Sequence, residues 1–445
     1  MGGGSSRRVL VGLGIALALA DSSVVTLALP DILRRFDVEI PEVAWVLTSY
    51  NLVLAFAAVP AAYVARRRPV PVFVLGTLVF AAASLACGLA PSFGVLVGAR
   101  CGQAVGGALL VCAALDLLTE IDGSDARAVR TWATAGVLGA ALGPAAGGIL
   151  TETLGWESIF LVQAPLALVT VAAAWRLRAR PLVVPAGRPN VPANLALLLV
   201  SGALTAALFL LVLLLVDGWR ISAAAAGVIV SVMPAAAIAT SAVAPRVGST
   251  LVRAAAGALL IAGGLAALGV LPGSDWRWTI VPQVFVGAGL GLTLSALTER
   301  ALEGRSPQAV HGGWTIAARH AGVVVGLLLL TPIFTTALDR NEDRALRAGA
   351  AAVLDSDIPP LEKLGVAQDV LAVVRNADRE VPDVRQAFAD RPDDEQYRTL
   401  EERLVDELDR AVTAAFSRPF LLGALLALAA LVPIAVAGRS RRVSV

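Results

Sequence analysis

Hydrophobic residues occur along this chain in long runs, separated by short stretches rich in charged residues, proline or glycine. A helix of roughly 20 apolar residues can cross the apolar core of a bilayer, which is about 30 Å thick. Twelve runs meet this length. We refer to them as spans 1 to 12, at residues 9–30, 43–65, 70–90, 93–118, 129–151, 157–176, 194–216, 222–244, 251–271, 278–298, 312–337 and 413–437. The pattern predicts an all-α integral membrane protein with twelve transmembrane helices.

Composition and charge add a membrane orientation to this picture. The chain is 57% hydrophobic and has a mean hydropathy of +0.76, which would oblige a soluble domain to expose large apolar surfaces. Span 1 lacks a small-residue cleavage site, so we expect a retained helix rather than a secretory signal. Arginines in the short connections divide eighteen to four between the two sides. The positive-inside rule predicts that both termini are cytoplasmic.

The spans divide into two halves. A basic, proline-containing linker at 177–193 separates a first six-helix half, 1–176, from spans 7 to 11 at 194–338. The sequence GQAVGGALL in span 4 is weakly similar to FVGAGLGLT in span 10. Repeated halves of this kind are common in secondary transporters.

A long polar segment, 339–412, stands between spans 11 and 12. It holds 19 acidic and 11 basic residues, a net charge of −8. Leu400, Leu404 and Leu408 recur at helical spacing. We expect an amphipathic helical cap on the extracytoplasmic face, followed by span 12 and a cytoplasmic tail at 413–445.

One permanently charged residue, Arg100, lies inside the apolar sequence VGARCGQAVGGALL of span 4. Ionisable groups within the membrane are rare and face an aqueous cavity or a partner. Asp21 is the candidate partner, because it lies roughly 13 Å below the outer end of span 1 and Arg100 roughly 10 Å below the same face. Asn51 and Gln163 fall at similar depths, about 12 and 9 Å. These side chains predict a solvated cavity between four helices.

The depths of Asp21 and Arg100 leave two interpretations of the pair open. In one, Asp21 binds and releases a proton or pairs with a cationic substrate, while Arg100 favours its ionised form. In the other, the two groups form a permanent structural ion pair.

Three further groups of residues are candidates for function. Polar side chains expected to line the substrate cavity are Tyr50, Asn51, Gln103, Gln163, Gln283 and Arg319. Small residues in span 5 would allow close packing, and a proline there would bend the helix, so we predict a hinge and an interface between the halves at Gly139, Gly143, Pro144, Gly147 and Gly148. The predicted inner gate consists of Arg66, Arg67 and Asp116. His320, beside Arg319, is expected to be merely solvated or packed.

Several motifs resemble those of Major Facilitator Superfamily exporters. GARCGQAVGG resembles their fourth-helix motif Arg-x-x-Gln-Gly-x-Gly: Arg100, Gln103 and Gly106 match, and Ala104 replaces a glycine. LGPAAGG at 142–148 is similar to their fifth-helix antiporter motif. Four further segments resemble motifs of the multidrug:proton antiporter branch. They are ADSSVVTLALP at 20–30, WVLTSYNL at 45–52, GWESIFLVQAP at 155–165 and, in the second half, GWTIAARHAG at 313–322.

This resemblance implies an alternating-access exporter. In such a protein the first-helix acid and the fourth-helix arginine take part in proton coupling, and the fifth-helix motif lies at the interface of the halves. Two features of this chain depart from the branch. Members of the branch usually have fourteen helices, whereas twelve are predicted here. The branch's cytoplasmic motif Gly-x-x-x-Asp-Arg-x-Gly appears here as AYVARRRP, which lacks the acid.

We therefore predict a proton-coupled exporter of amphipathic or hydrophobic small molecules in the inner membrane of a bacterium. It would work as a monomer in contact with membrane lipid, with the proton gradient in place of a cofactor and with no metal site and no nucleic-acid partner. The alternative is a transporter of lipid or cell-envelope precursors that uses the same fold, its cap handling the cargo. A non-transporting receptor or assembly protein and a membrane enzyme are weaker alternatives; no catalytic groups converge, and an ATP-driven pump is excluded for this chain alone.

Overall fold

The computed structural model describes residues 2–174, 177, 184–356, 358–376, 384–389, 391–392 and 394–439. Within them, twelve helices are long and apolar enough to span a membrane, and there is no β-strand. In chain order these spans are Gly4–Thr26, Pro41–Ala65, Pro69–Gly88, Phe93–Asp122, Asp125–Leu154, Glu157–Ala174, Val191–Gly218, Ala223–Arg246, Thr250–Leu268, Trp276–Leu302, Gln308–Ala337 and Glu395–Gly438. The predicted all-α fold with twelve spans is confirmed. Residues 178–183 of the predicted linker and 440–445 of the predicted tail lie outside the described residues.

Local sequence signals set the ends of the helices that carry the polar residues. Span 4 begins at Phe93 because the hydroxyl of Ser92 accepts a hydrogen bond from the backbone of Val95 (3.4 Å). It ends at Asp122 because Gly123 adopts a left-handed conformation, with a φ of 61°. The helix has 30 residues, or roughly 45 Å. Arg100 and Gln103 therefore lie within the membrane-spanning part of the helix and away from its ends.

The helices pack into two halves that also touch each other. In the first half, span 1 packs on spans 5 and 6, and span 4 packs on spans 2 and 3. In the second half, span 10 packs on spans 8 and 9, and span 7 packs on span 11. The main contacts between the halves join span 2 to span 11 and span 5 to span 8. We call the membrane side that holds the linker the linker side, and the opposite side the cap side. Span 1 runs from the linker side to the cap side.

The cap is continuous with the second half. The helix of span 11 runs without interruption from Gln308 to Asp355, and the helix of span 12 begins far outside the span, at Glu395. Between them lie the helices Pro360–Asn376 and Val384–Phe388. A small apolar core joins these pieces, with Val353, Ile358, Val366, Val384, Phe388, Leu400 and Leu404 among its buried members. Two uninterrupted helices thus connect this segment to the membrane-spanning part.

Candidate functional site

The buried charges of spans 1 and 4 meet in the first half. Arg100 Nη1 donates a hydrogen bond to Asp21 Oδ2, and both side chains are completely buried. The guanidinium also donates from Nε to the backbone carbonyl of Val46 in span 2 (3.0 Å). Among the described residues, its Nη2 has no partner. The pair thus joins three helices through one planar cation, whose fixed fork of donors suits a carboxylate.

Gln103, one turn after Arg100, is the centre of the surrounding hydrogen bonds. Its Oε1 accepts from Arg100 Nη1 (2.6 Å), while its Nε2 lies 3.1 Å from Asp21 Oδ1. The same Nε2 lies 2.9 Å from Ser84 Oγ in span 3 and 3.3 Å from Gln163 Oε1 in span 6. An amide nitrogen has two hydrogens, so it can serve two of these three acceptors at a time. We call Asp21, Ser84, Arg100, Gln103 and Gln163 the buried polar cluster.

Aromatic rings cover the charged end of this cluster. The guanidinium carbon of Arg100 lies 4.3 Å from the ring centre of Tyr50 and 5.6 Å from that of Phe160, and ring faces attract cations at such distances. The Tyr50 hydroxyl donates to the carbonyl of Ala18 in span 1 (2.8 Å). The predicted solvated cavity around Asp21 is therefore not seen here. The rings and closely packed helices enclose the pair and exclude solvent from it.

A second set of hydrogen bonds joins the halves beside the cluster. Asn51 Oδ1 lies 2.6 Å from His320 Nδ1 in span 11 and accepts from Ser22 Oγ (3.3 Å). Because Asn51 Nδ2 donates to the carbonyl of Leu47 (2.8 Å), its oxygen is the atom that faces the histidine. His320 Nδ1 is accordingly the donor, which places the ring proton on that nitrogen. His320 thus joins span 11 to Asn51 of span 2, and Asn51 in turn contacts Ser22, the residue that follows Asp21.

Sequence reasoning placed several members correctly at one depth but did not find the rest of the site. Ser84, Phe160 and His320 were not among the candidates, although each contacts the cluster or its neighbours. Ser84 carried a usable signal, because it and Thr77 are the hydroxyl-bearing residues of an otherwise apolar span. The aromatic cover carried none, since an apolar ring in a transmembrane helix is ordinary.

Two of the predicted cavity residues make no hydrogen bond to the cluster or to the side chains that surround it. Gln283 in span 10 is buried within the second half. With its amide oriented to satisfy both ends, it donates to the carbonyl of Ile229 (3.0 Å) and accepts from Thr279 Oγ1 (3.0 Å). Arg319 in span 11 is half-buried and makes no hydrogen bond or ion pair within the described part of the chain. Neither residue joins Asp21.

The predicted inner gate is built differently from the expectation. Asp116 forms no ion pair with Arg66 or Arg67 in the described structure. Arg66 instead donates to the carbonyl of Val184 in the linker (2.9 Å) and stacks on Tyr63, with its guanidinium carbon 4.7 Å from the ring centre.

In the first half, an acid at the end of span 4 does form an ion pair on the linker side. Asp122 accepts from Arg8 Nε at the start of span 1 (2.6 Å) and from Thr131 Oγ1 in span 5 (3.2 Å). Sequence reasoning passed over it because it stands at a helix end, where a charge needs no partner.

The small residues of span 5 contact two different neighbours. A Cβ added to Gly139, Gly143 or Gly147 would overlap with Ala16, Ser23 or Val24 of span 1 respectively. These three glycines therefore lie inside the first half, and their predicted place at the interface between the halves is wrong. Pro144 and Gly148 do lie at that interface. A Cβ on Gly148 would overlap with the carbonyl of Ala223 in span 8, and one on Gly227 would lie 2.9 Å from the carbonyl of Pro144.

Comparison with known proteins decides the family. Residues 11–327, well over half of the chain, match the Major Facilitator Superfamily. The chain belongs to this superfamily. It is therefore a multi-pass membrane transporter rather than an enzyme, and the resemblance drawn from its motifs is confirmed at that level.

Curated relatives are similar to parts of the chain. The chain is 36% identical over 170 residues to multidrug resistance protein Stp of Mycobacterium tuberculosis, a match covering 37% of this chain and 31% of that protein. It is 30% identical over 211 residues to the methylenomycin A resistance protein of Bacillus subtilis, covering 46% and 45%. These alignments span less than half of the relatives' own lengths.

A solved structure is similar in fold to nearly all of the chain. A bacterial homologue of the human lysosomal transporter Spinster, in an inward-facing and unoccupied conformation, superimposes with a TM-score of 0.65 over 98% of both chains at 16% identity. At this identity the likeness shows the fold alone.

Proposed function

We propose that this Major Facilitator protein is a proton-coupled exporter of amphipathic or hydrophobic small molecules, and that Asp21 is its proton-binding group. One observation carries the proposal: Asp21 is completely buried in a membrane-spanning helix and is paired with a permanent cation. Asp122, the other almost completely buried carboxylate of the described residues, lies at a helix end. A charge buried at such cost suits a group that gains and loses its charge during a transport cycle.

Protonation of Asp21 changes what every neighbour in the cluster must do. The carboxyl loses its negative charge, so Arg100 loses the partner that offsets its own burial. The guanidinium then favours any conformation in which water or another anion reaches it. Gln103, which contacts both groups, shares in that change. Proton binding thereby alters the relative free energies of the closed and opened states, which is the requirement for coupling.

The neighbouring hydrogen bonds offer a route from this change to the second half. Ser22 follows Asp21 in the chain and contacts Asn51, which in turn contacts His320 of span 11. A shift of span 1 at Asp21 therefore disturbs a bond between the halves. Alternating access requires contacts between the halves to break and reform.

The substrate class rests on the relatives and on the character of the interior. Similar proteins are named for multidrug resistance, drug efflux and methylenomycin A resistance, which favours drug-like compounds moved outward over the lipid-precursor alternative. We place the cap outside the cell and both termini in the cytoplasm of a bacterium, with protons and small molecules as the partners of a monomer that needs no cofactor.

Dye transport in inverted membrane vesicles tests the proposal. An imposed pH gradient, acidic inside, should drive uptake of at least one of two fluorescent dyes, cationic ethidium or anionic fluorescein. Asp21→Asn should abolish the response to the gradient and leave dye binding intact, because the variant mimics a permanently protonated carboxyl. Asp31→Asn is the matched control: Asp31 is paired with Arg34 on a surface helix (2.5 Å), and its uptake should be normal. Gradient-driven uptake by Asp21→Asn at the wild-type rate would rule out the coupling role.

A further inference from the structure

Arg319 is a cation inside the second half that has no counter-charge there. It lies 11 residues into the helix that begins at Gln308, or roughly 17 Å from the linker-side end. Its side chain is half-buried and makes no ion pair or hydrogen bond within the described part of the chain. Among the described residues, this guanidinium is thus a partly buried charge that no side chain balances.

No acidic residue of spans 7 to 11 lies near its depth. Asp217 stands at the cap-side end of span 7, and Glu299 stands near the linker-side end of span 10. Each is separated from Arg319 by more than about 10 Å along the membrane normal. Asp21 is already paired with Arg100. The partner of Arg319 therefore has to come from outside this set of side chains.

The helix turns Arg319 toward the protein interior rather than toward lipid. Trp314, Val325, Leu328 and Leu329 are exposed side chains of this stretch, and Arg319 lies roughly 80° to 180° around the helix from each of them. His320 faces span 2, whereas Gly322, three residues after Arg319, packs against Leu198 of span 7. Arg319 thus lies on the part of the helix between its contacts with the first half and with span 7.

The adjacent residue also has an unused polar atom. His320 is 7% exposed, and its Nδ1 donates to Asn51, but its Nε2 has no partner among the described residues. In that tautomer Nε2 is an acceptor. A free guanidinium and a free ring nitrogen on consecutive residues are costly to bury unless something else satisfies them.

From these contacts we propose that Arg319 binds the anionic group of the transported compound, so that the substrates are amphipathic carboxylates. This inference rests on the proposed export function and narrows its substrate class. A carboxylate satisfies a guanidinium through two parallel hydrogen bonds, and the bond strengthens when both groups are removed from water. The apolar body of the compound would lie against the surrounding aliphatic side chains.

Growth of an efflux-deficient bacterial host tests the proposal with defined probes. The anionic compounds are fusidic acid and nalidixic acid, and the cationic ones are ethidium and tetraphenylphosphonium. The wild-type protein should protect against at least one anionic compound. Arg319→Gln should lose that protection by about tenfold, as expected for removal of a charged hydrogen bond, and Arg319→Lys should keep part of it. Arg277→Gln, at an exposed arginine, should behave as wild type.

Melting temperature of the purified protein separates binding from a structural role. Arg319→Gln removes a charge without a partner, so its melting temperature should equal or exceed that of wild type. Arg100→Gln leaves Asp21 unpaired and should lower it. If Arg319→Gln were lowered as much as Arg100→Gln, Arg319 would be structural and the proposal overturned.

The remaining outcomes distinguish this inference from the proposed function. Protection against the cations only, or an equal loss for both classes in Arg319→Gln, would overturn the anion site while leaving export intact. Protection against none of the four compounds would count against the export function itself, and the anion site would fall with it.

Discussion

Arg100 shows how one side chain organises the first half. Its donors go to a carboxylate of span 1, a carbonyl of span 2 and an amide of its own span, and aromatic rings of spans 2 and 6 lie near its guanidinium. A lysine would offer one compact ammonium and could not serve these directions in a plane. The residue type is therefore tied to the arrangement of the helices around it.

At this scale the pairing of Asp21 with Arg100 leads to a prediction about stability. Arg100→Ala leaves a carboxylate buried without a counter-charge, which typically costs about 3–5 kcal/mol. Thermal unfolding in detergent should show a large drop in melting temperature. The double variant Asp21→Asn/Arg100→Ala should recover part of this drop, because neither charge of the buried pair is then present. A double variant no more stable than Arg100→Ala would show that the two side chains do not depend on each other.

Close helix packing at span 5 depends on glycines that have no room for a side chain. Gly139 meets the backbone of Ala16 in span 1, whereas Gly98 in span 4 has open space around its Cα. We expect Gly139→Ala to cost about 1–3 kcal/mol, because the two helices must move apart. Gly98→Ala is the matched control and should be neutral or stabilising by up to about 1 kcal/mol, since alanine favours a helix. Equal melting temperatures for the two variants would contradict the packing described here.

The bond between spans 2 and 11 can be measured by a double-mutant cycle. Asn51→Ala and His320→Ala each remove one side of the 2.6 Å contact. The coupling free energy from the two single variants and the double variant should be about 0.5–1.5 kcal/mol, as for a buried hydrogen bond. Thermal or denaturant unfolding gives this value. Strict additivity would mean that the contact contributes nothing to the joining of the halves.

Over the whole molecule, the halves touch on both sides of the buried polar cluster. On the linker side a Cβ on Gly313 of span 11 would lie 2.8 Å from Ala62 Cβ of span 2, and on the cap side Gly148 meets Ala223. Access to the cluster from either side therefore requires one of these contacts to open. Contacts of this kind define the states between which a transporter alternates.

A cross-link on the linker side should stop the cycle. Cysteines at Ala62 and Gly313 are close enough to form a disulfide after a small shift, since Cβ atoms in disulfides lie about 3.8 Å apart. In a background with Cys87, Cys101 and Cys112 replaced by alanine, oxidation should abolish vesicle transport and reduction should restore it. The two single-cysteine variants should be unaffected by oxidation. Full transport by the oxidised double variant would mean that this contact does not open.

Much of this protein follows from its sequence. Twelve spans and their approximate ends could be predicted because helix length and apolar composition are local properties, read within about 20 residues. The shared depth of Asp21 and Arg100 followed from the same counting, because each residue advances a helix by about 1.5 Å. The motif resemblance also gave the superfamily, which the match over residues 11–327 confirms.

Other features were decided only by the tertiary structure. Depth does not say how far a helix is rotated about its axis, and rotation determines that Gly139 faces span 1, that Asp116 forms no ion pair with Arg66 and that His320 reaches Asn51. The exclusion of solvent from the Asp21–Arg100 pair depends on aromatic rings of other helices, including those of Tyr50 and Phe160. The chain by itself thus determined which charges enter the membrane and how deep they lie, whereas packing between distant segments decided what each charge touches.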